Sequence, residues 1–164
     1  MASTATNKQP LLVDRVFHEV VKTDTLASGS ADSVAITGTN SAAVLLNCQS
    51  NDGAICETIY AVSRIADDPQ IINLYFSNAT DYLRPDEATF IGQFVSSTDL
   101  GQPSEFINMP LCLTPPPRIT TISGSAKNNA LYVPKGKVLW VTLQRASSAN
   151  INTQPVVATQ GGYY

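Results

Sequence analysis

Charged side chains and histidine are scarce in this sequence. Only 14% of the 164 residues are charged, against an average of about 25% in globular proteins. His18 is the one histidine, so a nucleophilic site of the Ser-His or Cys-His type has a single candidate base. No GxSxG, GxxxxGK[ST] or GxGxxG motif occurs, which removes local support for a hydrolase elbow or a nucleotide site. We therefore expect a protein that is not an enzyme, with no cofactor and no small-molecule substrate, and interpret His18 as a packing residue.

Cysteine is also scarce, and its spacing carries no metal or disulfide signature. Cys48, Cys56 and Cys112 are odd in number and form no CxxC pair. A disulfide framework or a closed zinc site needs more ligands at recognisable spacing. We interpret all three as small buried apolar residues with free thiols, which fits assembly in the cytoplasm. A bridge between Cys48 and Cys56 is the alternative.

The paired acidic residues do not indicate a catalytic site. Asp67 and Asp68, like Asp86 and Glu87, lie beside prolines in predicted turns. Adjacent acids on a strand would point to opposite faces, so solvated loop charges are the better interpretation. A calcium ion bound by Asp81, Asp86 and Glu87 is a weaker alternative, because the sequence lacks the dense acidic loop typical of calcium sites.

Neither a leader nor a long apolar run is visible, and basic residues are not clustered. The segment "MASTATNKQP" lacks a basic region followed by an apolar one, so we expect no signal peptide. The apolar runs, such as "AAVLL", are too short to span a membrane. The net charge is -3, and the five cations from Arg118 onward are spread out. We expect no nucleic-acid and no membrane partner.

The charge is nevertheless distributed unevenly along the chain. All 13 acidic residues lie between Asp14 and Glu105, and only cations follow them. We interpret these charges as solvated strand faces. The alternative is that opposite potentials on different surfaces favour contact between subunits.

What the sequence has in place of charge is about 50 Ser, Thr, Asn and Gln residues, a composition that suits strands and turns. Short apolar runs alternate with turn signals about every ten residues, which predicts an all-β fold, an antiparallel β-sandwich of jelly-roll type over residues 31–164. The predicted strands are 33–37, 42–48, 54–65, 70–77, 89–95, 105–109, 119–123, 129–133, 137–145 and 151–159.

Alternation of apolar and polar residues supports two of these strands. In "IINLYFS" one face would carry Ile72, Leu74 and Phe76 and the other Asn73, Tyr75 and Ser77, which predicts a half-buried strand. In "KVLWVTLQR" both faces are apolar through Trp140. This pattern predicts a strand that is central or covered on both sides.

Both ends of the chain predict elements that need a covering partner. Residues 1–30 are interpreted as an N-terminal arm, and "PLLVDRVFHEVVKTD" within it pairs its apolar residues at a period near four. That period fits a helix, but its β-branched valines favour a strand, and the sequence fits either. At the other end "VVATQGGYY" predicts a closing strand whose glycines permit close backbone approach and whose tyrosines offer contact area.

Three stretches together resemble one protein family. They are "ICETIYAVSRIADDPQIINLYFSN", "ALYVPKGKVLWVTL" and "VVATQGGYY", and they are similar to strands of the jelly-roll-like head decoration, or cement, proteins of tailed bacteriophages. The resemblance implies a homotrimer on the outer surface of the capsid, assembled in the host cytoplasm. It would bind the assembled major capsid protein lattice and stabilise the head.

Apolar or rigid segments at the predicted edges of the domain are the candidate contact sites for the capsid or a second subunit. They are Leu12, Val13, Val16, Phe17, Val20, Pro115, Pro116, Pro117, Arg118, Tyr163 and Tyr164. We expect loss of the two tyrosines to weaken association more than the stability of the domain. The alternative function is a tail, neck or fibre-associated virion protein with a host-surface or carbohydrate-binding role. Exposure of Trp140, Tyr75 and Tyr132 on one sheet face would favour that alternative.

Overall fold

Two antiparallel sheets packed face to face form the protein, as the sequence predicts. The computed structural model describes residues 15–22, 42–64, 69–81, 83, 87–106, 130–143 and 155–164, and these contain strands and no helix. The strands are β1 (Arg15–Lys22), β2 (Ala42–Asn47), β3 (Gly53–Val62), β4 (Ile71–Ser77), β5 (Thr89–Val95), β6 (Pro103–Glu105), β7 (Leu131–Pro134), β8 (Val138–Leu143) and β9 (Val156–Tyr163).

Each sheet draws its strands from distant parts of the chain. Sheet A has the order β1-β9-β3-β6, and β7 pairs with the same edge of β3 further along the strand. Sheet B has the order β2-β8-β4-β5. β1 lies against β2 on one side of the sandwich, and β5 lies against β6 on the other. Within the described residues, β1 and β5 are therefore edge strands on opposite sides of the molecule.

The element that the sequence left open near the N-terminus is a strand. β1 pairs with β9 along its whole length, from Arg15 opposite Tyr163 to Lys22 opposite Val156. Phe17 is buried and Val21 packs against the core, so the pattern has the two-residue period of a strand. The described part of the predicted arm is thus a strand of sheet A.

The core lies between the two sheets and is built from aliphatic side chains of both. Burial of a Leu, Ile or Val side chain contributes about 1.5–3 kcal/mol, so this layer supplies most of the stabilisation. Its fully buried members include Leu45, Leu46, Ile59, Ile72, Leu74, Leu131, Val133, Leu139, Val141 and Val157.

Sheet B is covered on its outer face as well. Trp140 and Tyr75 form a second buried cluster there with Val138 and Leu83. The prediction that β8 is covered on both sides is confirmed. The prediction that β4 is half-buried is wrong, because Asn73, Tyr75 and Ser77 are all buried. Leu83, from the segment that follows β4, packs over this face.

Most predicted strands within the described residues are found, with ends shifted by a few residues. β5 has the predicted bounds, whereas the strand expected at 105–109 is the short β6 at Pro103–Glu105. β9 continues through both glycines to Tyr163. The strands predicted at 33–37 and 119–123 lie outside the described residues.

Candidate contact surface

The predicted contact residues on β1 divide between the two faces of sheet A. Val16 is 81% exposed and Val20 is 51% exposed on the outer face, whereas Phe17 is buried in the core. The other predicted residues of the arm and the connector lie outside the described residues: Leu12, Val13, Pro115, Pro116, Pro117 and Arg118.

Aromatic packing fixes β1 to the body of the sandwich. The rings of Phe17 and Tyr163 are 4.7 Å apart between centroids, and the Arg15 guanidinium carbon lies 4.8 Å from the Tyr163 ring centroid. Such aromatic and cation-π pairs each contribute about 0.5–1.5 kcal/mol beyond the buried area. Val16 and Val20 are therefore presented by a strand that its own core anchors.

The outer face beside these valines is closed by a contact across β9. The His18 imidazole Nε2 lies 3.0 Å from the Tyr60 hydroxyl, and the two rings are nearly parallel at 14°. Ala158, which pairs with both Val20 and Tyr60, is buried. We call Val16, His18, Val20 and Tyr60 the β1 patch. It combines two exposed valines with two rings whose polar atoms already contact each other, which lowers the cost of burying them because a hydrogen-bonded polar group is cheaper to desolvate than an unpaired one.

The C-terminal tyrosines contact their own domain. Tyr163 is 7% exposed, and burial, followed by the nearby Glu19 charge, raises its pKa to about 12. Tyr164 is half-buried beside Tyr132; its backbone N–H donates to the Gly53 carbonyl and its carbonyl accepts from Asp52. Their contact with a partner stays a prediction, and the position of Tyr163 gives it a structural role first.

The described cysteines are buried thiols. Cys48 and Cys56 are unbridged and fully buried, which confirms the prediction for both, and Cys112 lies outside the described residues. Desolvation raises the pKa of each thiol to about 12. A thiol that stays protonated is a poor nucleophile and metal ligand.

The described residues form no candidate metal site. Across those ranges, no three His, Cys, Asp or Glu side chains are close enough to hold a metal ion. Asp81 and Glu87 of the calcium alternative are described, but Asp86 is not. No helix long and apolar enough to cross a membrane occurs in the same ranges.

The aromatic residues of the carbohydrate alternative do not share an exposed face. Trp140 and Tyr75 are buried on sheet B, and the Trp140 indole N–H donates to the Ala79 carbonyl at 3.1 Å. Tyr132 belongs to β7 in sheet A. Trp140 is therefore a packing residue, and the three rings form no common platform for stacking on a sugar.

A second exposed apolar group, on β5 and in the segment after it, is not among the predicted contact residues. Phe90 and Val95 are about half exposed and Leu100 is 66% exposed. The available signal was the absence of charge, since "TFIGQFV" contains neither a charged residue nor proline. Edge strands in monomeric proteins usually carry such protective residues.

Comparison with known proteins adds no relative to these observations. No family model, no curated protein and no solved structure matches the chain.

Proposed function

We propose that this protein is a capsid decoration protein that binds the assembled lattice of a phage major capsid protein as a homotrimer. The observation that carries the proposal is the exposure of Val16 and Val20 on an anchored strand. Both side chains lie outside the domain's own core, and burial of a valine contributes about 1.5–3 kcal/mol. A shell surface of matching shape would bury them and gain this stabilisation.

The three stretches that resemble decoration proteins lie at the centre of the fold. They contain β3 and β4, β7 and β8, and β9. β9 and β3 are inner strands of sheet A, and β8 and β4 are inner strands of sheet B. The resemblance therefore rests on the strands that build the sandwich, which supports the proposal more than similarity in surface loops would.

The mechanism needs no covalent chemistry. A trimer presents three copies of the β1 patch, and a lattice presents repeated sites at fixed spacing, so contacts that are weak singly add through effective concentration. Separated capsid subunits offer no such spacing. A protein that binds only the assembled state shifts the equilibrium toward that state by mass action.

The test is cosedimentation of the purified protein with shells assembled without it. We expect the double variant Val16→Thr/Val20→Thr to bind at least about tenfold more weakly, because two hydroxyl groups would be buried in an apolar contact. Leu100→Thr is the matched control, since it makes the same kind of change at an exposed apolar residue outside the β1 patch. Equal binding of the double variant and the wild type would refute the role of the β1 patch.

Two further measurements define the site and its copy number. The contribution of the preceding residues is tested by deleting 1–14, because deleting 1–22 would also remove β1. Copy number in the particle separates the two proposed locations: hundreds of copies over the head support decoration, and a few copies at one vertex would instead favour the tail, neck or fibre alternative.

A further inference from the structure

The two edge strands that expose apolar side chains lie on opposite sides of the sandwich. β1 closes one side of sheet A, and β5 closes the other side of sheet B. Within the described residues β1 pairs only with β9, and β5 only with β4. Of the large apolar residues that the described chain exposes, Val16 and Val20 lie on β1, and Phe90 and Val95 lie on β5.

The register shows which peptide groups of β1 face its open edge. Tyr164, at the end of β9, donates its backbone N–H to Gly53 of β3. Neighbouring residues of a strand direct their peptide groups to opposite sides. The residue before Tyr164, and every second residue before that one, therefore bonds to β1. The β1 register then directs the peptide groups of Val16, His18 and Val20 away from β9.

The same reasoning identifies the open positions on β5. Ser96 donates its backbone N–H to the Gln70 carbonyl, directly beyond the β4–β5 ladder. By alternation, Gln93 and Val95 direct their peptide groups away from β4. On both edges these N–H and C=O groups, which lie beside exposed apolar side chains, are therefore not paired with any strand of the described residues.

The two edges are complementary in length and in charge. β1 has eight residues and β5 has seven. The sequence of β1 starts with Arg15 and ends with Lys22, whereas β5 is uncharged and has Glu87 shortly before it and Asp99 shortly after it. Either relative strand direction brings cationic strand ends near acidic flanks, while β1 against β1 would place cationic strand ends together in either direction.

We infer that the β1 edge of one subunit pairs with the β5 edge of the next, so that sheet A of one copy continues into sheet B of its neighbour. Val16 and Val20 then lie beside Phe90 and Val95 on one continuous outer face. Because the contact joins two different surfaces on opposite sides of the molecule, it is heterologous, and it closes into a ring of three when neighbouring copies are related by the three-fold rotation of the proposed homotrimer. The inference rests on the homotrimer in the proposed function and specifies its interface.

Proline variants at the open positions test the pairing. A proline removes an N–H, and at an edge position this leaves the internal ladder intact. His18→Pro blocks β1 and Gln93→Pro blocks β5. His18→Ala and Gln93→Ala are the matched controls, because each loses the same side chain and keeps the N–H. Circular dichroism and Trp140 fluorescence verify the fold, and Val20→Lys and Val95→Lys are the second pair of variants if a proline prevents folding.

Native mass spectrometry of the full chain measures the oligomeric state of the wild type and of each variant. We expect the wild type and both alanine controls to be trimers, and each proline variant alone to be a monomer. An equal mixture of the two proline variants should form a dimer containing one of each, because one unblocked β1 edge and one unblocked β5 edge remain for pairing.

Every other pattern overturns the inference. Dissociation of only one proline variant would indicate pairing of identical edges, and a monomeric wild type or two trimeric proline variants would exclude the interface. A mixture that yields no mixed dimer would do the same. Shell cosedimentation separates this outcome from the proposed decoration role: a wild-type trimer that does not bind shells refutes that role alone, and a monomer that binds shells refutes the interface and the homotrimer but not the decoration role.

Discussion

The buried thiols of Cys48 and Cys56 should make the stability of the protein fall at alkaline pH. Their pKa is 9.0 in the unfolded chain and about 12 in the folded protein. Between these values the unfolded chain has lost protons that the folded protein keeps, so rising pH favours unfolding. The contribution of these buried thiols to the free energy of unfolding is fully present below pH 9 and is lost as the pH approaches 12. Tyr163, with its pKa raised from 10.0 to about 12, acts in the same direction.

We expect the two thiols together to lower the free energy of unfolding by about 2–3 kcal/mol per pH unit near pH 10.5, since each contributes up to about 1.4 kcal/mol per unit, and Tyr163 to add to this slope. Denaturant titrations at several pH values measure this slope. The variant Cys48→Ala/Cys56→Ala should have a clearly smaller slope, and slopes are compared because the alanines also lower stability by leaving space in the core. Identical slopes would contradict the prediction.

Tyr163 shows what could not be predicted for a single residue. The sequence predicts that Tyr163 contacts a partner, whereas in the structure its ring packs on Phe17. Which face of β9 it occupies is decided by the strand register, and the preceding Gly161 and Gly162 have no side chains from which alternation can be read. Burial of Cys48 and Cys56, in contrast, was predictable, because their spacing in the sequence fits neither a metal site nor a disulfide framework.

At the scale of the strand, Gly161 is required for β9 to pair with β3. A Cβ atom added at this position would overlap the carbonyl oxygen of Ile55 and approach the backbone of Cys56. The obstacle is backbone in the centre of sheet A, which cannot move as a flexible side chain can. We expect Gly161→Ala to lower the free energy of unfolding by more than about 3 kcal/mol, measured by chemical denaturation.

Gly136 provides the matched control for this substitution. Its added Cβ would meet no atom within 4 Å, although its φ of 79° disfavours other residues. Gly136→Ala should therefore lower stability by only about 1 kcal/mol. A loss at Gly161 no larger than the loss at Gly136 would show that sheet A tolerates the extra atom.

Strands were predictable where their side chains record the environment of both faces. The apolar run in β8 indicated a central strand, and the charge-poor run "TFIGQFV" marked both ends of β5. The prediction for β4 is wrong because Tyr75 packs with Leu83, a residue outside the strand whose position the alternation within β4 cannot report. The helical spacing in β1 is equally consistent with a strand, and only pairing with β9 decides between the two.

At the scale of the whole molecule, charges from the acidic and the basic parts of the sequence meet in the fold. Lys135 lies 2.8 Å from Asp52 across 83 positions of sequence, in an exposed ion pair. An exposed pair of this kind contributes about 0–1 kcal/mol. At this ion pair, an acidic and a basic residue from different parts of the sequence lie together, so the uneven charge along the sequence is not a separation of charge in the fold.

The proposed function also predicts how the whole particle responds to heat. Binding to the assembled shell stabilises it by RT ln(1 + [L]/Kd) per site, about 2.7 kcal/mol at 100 times Kd. We therefore expect added protein to raise the temperature at which heads assembled without it release their DNA, as measured with a DNA-binding dye. The rise should level off when the sites on the shell are filled, because unbound protein in excess has no further state to stabilise.

The protein concentration needed to raise the DNA-release temperature should depend on the β1 patch. Val16→Thr/Val20→Thr should require about tenfold more protein for half of the full rise, while the Leu100→Thr curve should coincide with that of the wild type. Disassembled capsid subunits should gain no thermal stability from any of the three, because they lack the lattice spacing that a trimer uses. A release temperature that is unchanged on fully covered heads would contradict stabilisation as the purpose of binding, even where cosedimentation shows that the protein is bound.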